Sequence, residues 1–201
     1  MKAKREVEIK LPVASAAAGR RLLRAAGFRV SRRRVFEANT VFDTAGRRLL
    51  KAGTLLRVRE AGGQGLLTYK GPADPGAKHK SREELETEVA DPHMALTILA
   101  RLEFKPIFRY EKFRTEYCRP GSPGHATLDE TPIGSFLELE GPPQWIDRTA
   151  RALGFSEAAY ITASYGRLYL EHCKANRLRP GNMVYETSKS HPKPGLSEGR
   201  V

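Results

Sequence analysis

Glu6-Val7-Glu8-Ile9-Lys10-Leu11 alternates charge and hydrocarbon without a break. On a β-strand, successive side chains point to opposite faces. Glu6, Glu8 and Lys10 therefore share one side, and Val7, Ile9 and Leu11 the other. The pattern recurs in Leu56-Arg57-Val58-Arg59, which puts two arginines on one face, and in Leu137-Glu138-Leu139-Glu140, which puts two carboxylates there. A lone strand of this kind belongs to a sheet with one wet face, where water solvates the charges. Several such strands carrying both signs point instead to a sheet closed on itself, with the charged faces turned inward. Carboxylates in that interior can hold a divalent cation, and lysines and arginines a polyanion.

Along the whole chain, the polar phase collects the cations Lys10, Arg57, Arg59, Lys70, Arg82, Lys112 and Arg114. It also collects the carboxylates Glu6, Glu8, Glu84, Glu86, Glu88, Asp129, Glu138 and Glu140. The opposite phase is largely apolar, with Val7, Ile9, Leu11, Val58, Phe113, Leu128, Leu137 and Leu139. Helices need a surface to pack on, and only this phase offers one. The charged phase then faces away from the helices, into the lumen of a barrel. Like charges crowded in a reduced dielectric need compensation. Mg2+ or Mn2+, hard ions that take oxygen ligands, would compensate the carboxylates. Phosphate oxygens would compensate the cations, arginine binding them bidentately. A substrate bridging both clusters suits phosphoryl transfer, in which positioning and charge neutralisation do most of the work.

The chain has 201 residues, 40% hydrophobic and 29% charged, which suits one domain with a modest core and a tail. Its formal net charge of +12 implies an anionic partner, and nucleic acid, anionic lipid and polyphosphate all qualify. Cys118 and Cys173 follow no metal spacing and read as free thiols in a reducing compartment. Met1-Lys2-Ala3-Lys4-Arg5 leads straight into the first strand, with no apolar core of a secretory signal, and no apolar run approaches the length of a membrane span. The expectation is a cytoplasmic protein without a membrane partner. The histidines are scattered, no Gly-rich phosphate loop ends in Lys-Ser/Thr, and no Gly-x-Ser-x-Gly elbow occurs.

Periodicity and punctuation predict a helix from Ser15 to about Ala26, then strands over 35–42, 55–60, 66–70 and 82–89. Gly71–Lys80 reads as a polar excursion. Asp91-Pro92 opens a helix, a long strand covers 107–117, and 127–130 with 135–140 forms a second hairpin. Pro142-Pro143 opens a helix closed by Gly154, and a last helix runs from about Ser156 to His172. The expected division is a closed-sheet domain over residues 1–172 and a basic, flexible tail over 173–201, rich in Ser, Pro, Gly and Lys beyond 185.

Glu6-Val7-Glu8-Ile9-Lys10 resembles the Glu-x-Glu-x-Lys motif of the CYTH superfamily, the triphosphate tunnel metalloenzymes. Leu56-Arg57-Val58-Arg59 is similar to that family's paired-arginine strand, and Leu67-Thr68-Tyr69-Lys70-Gly71-Pro72 to its lysine strand in the class IV adenylyl cyclase-like version. Ser81-Arg82-Glu83-Glu84, Lys112-Phe113-Arg114, Leu128-Asp129, Gly134–Glu140 and Ser164-Tyr165 resemble later segments in the right order, so the resemblance spans roughly residues 4–170. It implies an α+β fold: a closed eight-stranded antiparallel β-barrel with helices packed outside. It also implies that Glu6, Glu8, Asp129, Glu138 and Glu140 lie on the metal side, for Mg2+ or Mn2+. Lys10, Arg57, Arg59, Lys70, Lys112 and Arg114 would hold phosphates, with Arg82 a less certain member.

Two chemistries share this apparatus. Hydrolysis releases phosphate from tripolyphosphate, ATP or thiamine triphosphate; cyclisation turns ATP into cyclic AMP and pyrophosphate. The reading favours a metal-dependent triphosphatase, with an adenylyl cyclase as alternative and a non-catalytic polyphosphate or nucleotide binding module third. Lys10 or Lys70 would orient or deprotonate the attacking water. Nucleic acid is disfavoured as a partner, because pure polyanion binding gains nothing from the acids. A homodimer stays open.

Overall fold

The computed structural model describes residues 4–186. The part of the expected tail over 187–201 lies outside the described residues. Eight strands form: β1 (Lys4–Val13), β2 (Arg29–Asp43), β3 (Leu55–Ala61), β4 (Gln64–Lys70), β5 (Lys80–Val89), β6 (Lys105–Cys118), β7 (His125–Thr131) and β8 (Gly134–Glu140). Each is paired antiparallel to its neighbours, and they close in the order β1-β5-β4-β3-β2-β6-β7-β8. Glycine sets the tightest connection. Gly62 and Gly63 join β3 to β4 with φ of 57° and 80°, a two-residue turn that requires positive φ at both positions.

Helices coat the apolar phase, as the alternation requires. α1 (Ala16–Ala25) starts at Ser15, whose Oγ accepts from Ala18 N at 3.2 Å. With α4 (Pro143–Ala152), α1 covers β1, β7 and β8, where Ile9, Leu11, Leu128, Leu137 and Leu139 are all 0% exposed. α1 can lie close to the sheet because residue 19 is glycine. A Cβ there would meet Leu128 Cδ1 at 2.8 Å. α2 is the short turn Arg48–Lys51, hung on Asp43, whose carboxylate accepts from Leu49 N and Leu50 N, each at 2.9 Å. α3 (Pro92–Arg101) packs on β3 and β4 over Phe42 and Val58, its first turn capped by Asp91. Among the described residues no helix is long and apolar enough to cross a membrane.

α5 (Tyr165–Ala175) lies across one end of the barrel. The sequence predicted one continuous helix from about Ser156. Instead a single 3-10 turn at Glu157–Ala159 is followed by an extended stretch in which Ile161 pairs with Lys10, each N–H donating to the other's carbonyl at 2.9 Å. The edge of β1 beyond Glu8 has no β5 partner, and pairing with Ile161 satisfies it. After α5, Met183 pairs with β6: Met183 N donates to Arg109 O at 3.0 Å and Glu111 N to Met183 O at 2.9 Å. Residues 182–185 of the expected tail therefore pack on the barrel, with Met183 0% exposed. β2 also begins earlier than predicted, at Arg29, because its arginine-rich first half pairs with β6 through register shifts.

Candidate active site

The inner face of the barrel encloses a cavity of about 880 Å³. Glu6, Glu8 and Lys10 of β1 line it with Arg57 and Arg59 of β3 and Lys70 of β4. Lys80, Arg82, Glu84 and Glu86 of β5, Lys112 and Arg114 of β6, and Glu138 and Glu140 of β8 complete the ionic wall. Charge-assisted bonds knit this wall together. Lys70 Nζ donates to both oxygens of Glu6 at 2.6 and 2.7 Å and stands 3.0 Å from Glu84. Arg82 Nε reaches Glu6 at 3.2 Å. Glu8 accepts from Lys80 at 2.8 Å and Lys10 at 3.2 Å, and Lys10 also lies 3.4 Å from Glu138. Arg57 donates to Tyr110 OH and Thr68 Oγ1, each at 3.1 Å, while Arg59 Nε donates to Asn39 at 3.0 Å.

Burial alone would push the carboxyls of Glu8, Glu37 and Glu138 up, but their neighbours win. Lys10, Lys80 and Lys70 hold Glu8 well below the usual range, and Lys10 with Arg114 does the same for Glu138. Glu37, behind Lys112, Arg114 and Arg59, falls to about 2. Among the cations, Lys10 is raised: burial works against it, but Glu8 and Glu138 outweigh burial. Lys80 goes the other way, to about 8, because burial and the adjacent Lys10 and Arg82 outweigh Glu8. Burial would raise the Tyr110 hydroxyl, yet Arg57, Lys112 and Arg59 bring it down to about 8. The neighbouring cations thus hold Glu8, Glu37 and Glu138 in their ionised forms.

The sequence that builds this charged antiparallel tunnel matches the CYTH domain family over residues 4–165. The chain belongs to that family. A protein of Methanocaldococcus jannaschii provisionally named an adenylate cyclase is 30% identical over 136 residues, 67% of this chain and 75% of the relative. The structure of a Pyrococcus horikoshii protein is 28% identical, with a TM-score of 0.69 over 83% of this chain and 99% of that one. A Hippeastrum protein, provisionally named an adenylyl cyclase and described as having a dominant triphosphatase activity, shares the fold at 18% identity. Its TM-score is 0.63 over 84% of this chain and 95% of that one.

In this CYTH domain every phosphate-side cation expected from sequence lines this cavity, and so do Glu6, Glu8, Glu138 and Glu140. Asp129 does not. It is 0% exposed and accepts from Lys112 at 2.6 Å, from Arg114 Nε and Nη2 at 2.7 and 2.6 Å, and from Tyr165 OH at 2.8 Å. Its place is behind the cations, fixing their direction. Lys80, Tyr110 and Tyr165 also line the cavity, and Glu37 and Asn39 stand behind its cations, outside the sequence reading. Lys80 sat at the edge of the presumed polar excursion, although Lys80, Arg82, Glu84 and Glu86 keep one two-residue phase. Glu37 and Asn39 keep that phase along β2. Tyr110 and Tyr165 gave no ionic signal at all.

Glu6, Glu8, Glu138 and Glu140 offer the oxygen donors that a hard divalent cation takes. Glu8 stands directly across from Glu140 in the β1–β8 register, with Glu138 opposite Lys10. Two like charges facing each other across adjacent strands are costly unless a cation sits by them. Among the described residues no three His, Cys, Asp or Glu side chains are already grouped as a metal cage. Lys70, Lys80 and Arg114 hold Glu6, Glu8 and Glu138 in salt bridges.

The CYTH tunnel has two unlike ends. β1 runs from Lys10, beside the Tyr165 ring at 5.3 Å, down to Glu6, and β8 from Phe136, also against Tyr165, down to Glu140. The α5 end is therefore walled by Val41, Leu55, Ile107, Phe108 and Tyr169. Phe108 lies 5.7 Å from Tyr110 and 5.9 Å from Tyr169, making a short row of rings. Further along β8, Glu140 pairs in register with His125, and both line the cavity.

Proposed function

We propose that this CYTH domain is a divalent-cation-dependent triphosphatase whose substrates carry an organic group on the triphosphate. The observation that carries the reading is the convergence of Lys10, Arg57, Arg59, Lys70, Lys112 and Arg114 on one cavity that Glu6, Glu8, Glu138 and Glu140 also line. Arg57 Nε adds to it: buried without a hydrogen-bond partner, it is a desolvated donor that a phosphate oxygen would satisfy. Arg57, Arg59 and Arg114 would grip phosphate oxygens as charged forks, with Lys70 and Lys112 as point charges between them. Asp129 and Tyr165 would keep Lys112 and Arg114 aimed at the lumen. Glu6, Glu8, Glu138 and Glu140 would hold Mg2+ or Mn2+. Bound there, the ion would neutralise charge on the phosphate oxygens. Lys10 and Lys70 would orient a water for in-line attack on the terminal phosphorus, breaking its bond to the bridging oxygen and releasing orthophosphate. The apolar row at the α5 end favours an organic triphosphate over a bare one, since tripolyphosphate has nothing to place there.

Cyclisation of ATP is the second reading. The same row of rings would suit a nucleobase, and the M. jannaschii relative bears the cyclase name. The Hippeastrum protein favours hydrolysis on this fold. Incubation of the protein with Mg2+ or Mn2+ and, separately, tripolyphosphate, ATP and thiamine triphosphate decides. Orthophosphate release supports the hydrolase; pyrophosphate with cyclic AMP supports the cyclase. Absence of both turnover and binding with every triphosphate defeats the two together.

A further inference from the structure

We infer that the strap after α5, residues 180–185, completes the pocket for the organic group, and that Asn182 selects a neutral ring bearing hydrogen-bond acceptors over a cationic one. This rests on the reading of the tunnel as a site for organic triphosphates, and names the class of organic group. The family match ends at residue 165, so the strap lies outside it. An open strand edge sets its place. β7 pairs with β6 over Phe113–Tyr117, which leaves the backbone of Arg109 and Glu111 unpaired on that side. Met183 takes up both residues through its backbone, and Asn182 Oδ1 accepts from Arg109 N at 2.9 Å. Tyr185 N donates to the Glu111 carboxylate at 3.1 Å, and Tyr185 OH to Glu130 O at 2.6 Å. So anchored, Pro180, Gly181 and Asn182 line the same cavity as the charges of the tunnel. Tyr169 OH donates to Asn182 O at 3.2 Å, which sets the strap against the ring pair Phe108 and Tyr169.

The bonding pattern decides what Asn182 offers. Its Oδ1 meets a backbone N–H, so the amide has one orientation, and Nδ2 with its two hydrogens has no partner among the described residues. Asp43, the acid at this end of β2, is 0% exposed, and its oxygens accept from Thr44 N at 2.7 Å and from Leu49 N and Leu50 N at 2.9 Å. Its charge is therefore turned to α2. Arg47 and Arg167 line the cavity as well. An amide donor and guanidinium groups, in a pocket lined by flat rings, suit ring nitrogens or carbonyl oxygens and repel a fixed positive charge. An adenine-like base meets that description. The thiazolium of thiamine triphosphate does not.

Asn182→Asp is the informative change. It keeps an oxygen for Arg109 N, and so keeps the strap in place, but it replaces the donor with a negative oxygen. Affinities for ATP, thiamine triphosphate and tripolyphosphate are read with Mg2+, as KM for those turned over and as Ki for the others. The wild type is expected to hold ATP more tightly than thiamine triphosphate. In Asn182→Asp, ATP weakens about tenfold, the scale of one hydrogen bond lost in a closed pocket. Thiamine triphosphate tightens, and tripolyphosphate is unmoved. Asn182→Ala, which lacks donor and charge alike, weakens ATP without favouring thiamine triphosphate. Both variants keep cooperative thermal unfolding. A ratio of ATP to thiamine triphosphate affinity that Asn182→Asp leaves unchanged overturns the inference, as does a wild-type preference for thiamine triphosphate. An equal loss with tripolyphosphate overturns it too, since the strap would then act on the phosphates. A wild type that takes none of the three defeats the triphosphate reading, and the inference with it.

Discussion

The two faces of β1 show opposite uses of the same strand. Its outer side chains, Ile9 and Leu11, are 0% exposed under α1 and α4, among Leu128, Leu137 and Leu139. Its inner side chains, Glu6, Glu8 and Lys10, are 2–6% exposed, yet they border an 880 Å³ cavity and each holds an ion of opposite sign. Burial is alike on both faces. What differs is the neighbour: hydrocarbon on one side, charge and a cavity wide enough for solvent and substrate on the other. The outer face is where the barrel buries hydrocarbon, and the inner face is where its own salt bridges pair the buried charges. Substitutions on the two faces should therefore separate folding from chemistry.

The largest separation is expected at Glu8. Glu8→Ala should lower Mg2+-dependent turnover of a triphosphate about 100-fold or more, with circular dichroism and cooperative unfolding retained. Turnover at the wild-type level would remove Glu8 from the metal side. Glu140→Ala should behave in the same way. The mirror experiment is Ile9→Ala, which opens a cavity in the outer core and should cost about 2–5 kcal/mol by denaturant titration, with kcat per folded molecule unchanged. If Glu8→Ala unfolds the protein more than Ile9→Ala does, the contrast between the faces fails.

Arg57→Ala sharpens the inner side. Loss of a charged fork with a buried, unpartnered Nε should raise KM for triphosphate about tenfold, and an unchanged KM would mean that phosphate never reaches this residue. Phe108→Ala tests the apolar end: KM for ATP or thiamine triphosphate should rise several-fold, while that for tripolyphosphate stays the same. The smallest effect is on acid stability. Glu37 falls from 4.5 to about 2 on folding, despite burial, because Lys112 and Arg114 outweigh it. A depressed carboxyl pKa stabilises the fold above the unfolded value and loses that contribution as pH falls through the folded one. Glu37→Gln should therefore flatten the stability profile between about pH 4.5 and 2; an identical profile would place the acid transition elsewhere.

The sequence carried much of this because ionic alternation survives any tertiary context. Glu6-x-Glu8-x-Lys10, Arg57-x-Arg59, Lys112-x-Arg114 and Glu138-x-Glu140 keep their two-residue phase, and each such run meets the same cavity. Lys80 escaped because the phase of β5 begins at the end of a Pro- and Gly-containing loop, where local signals favour irregular backbone. Asp129 looked like a metal ligand by its type and company. Its actual partners come from β6, paired across the β6–β7 register, and from α5, and no local pattern encodes either contact. The break before α5 was hidden for a similar reason: Ile161 sits at helical spacing from Tyr165, but the open edge of β1 competes for its backbone.

The pairing of Met183 with β6 has a reach longer than its size. Its two backbone bonds land on Arg109 and Glu111, bracketing Tyr110, and the Tyr110 hydroxyl accepts from Arg57. A perturbation at residues 182–185, such as a truncation or a bulky fusion placed against them, would thus be relayed in two short steps to a guanidinium deep in the tunnel.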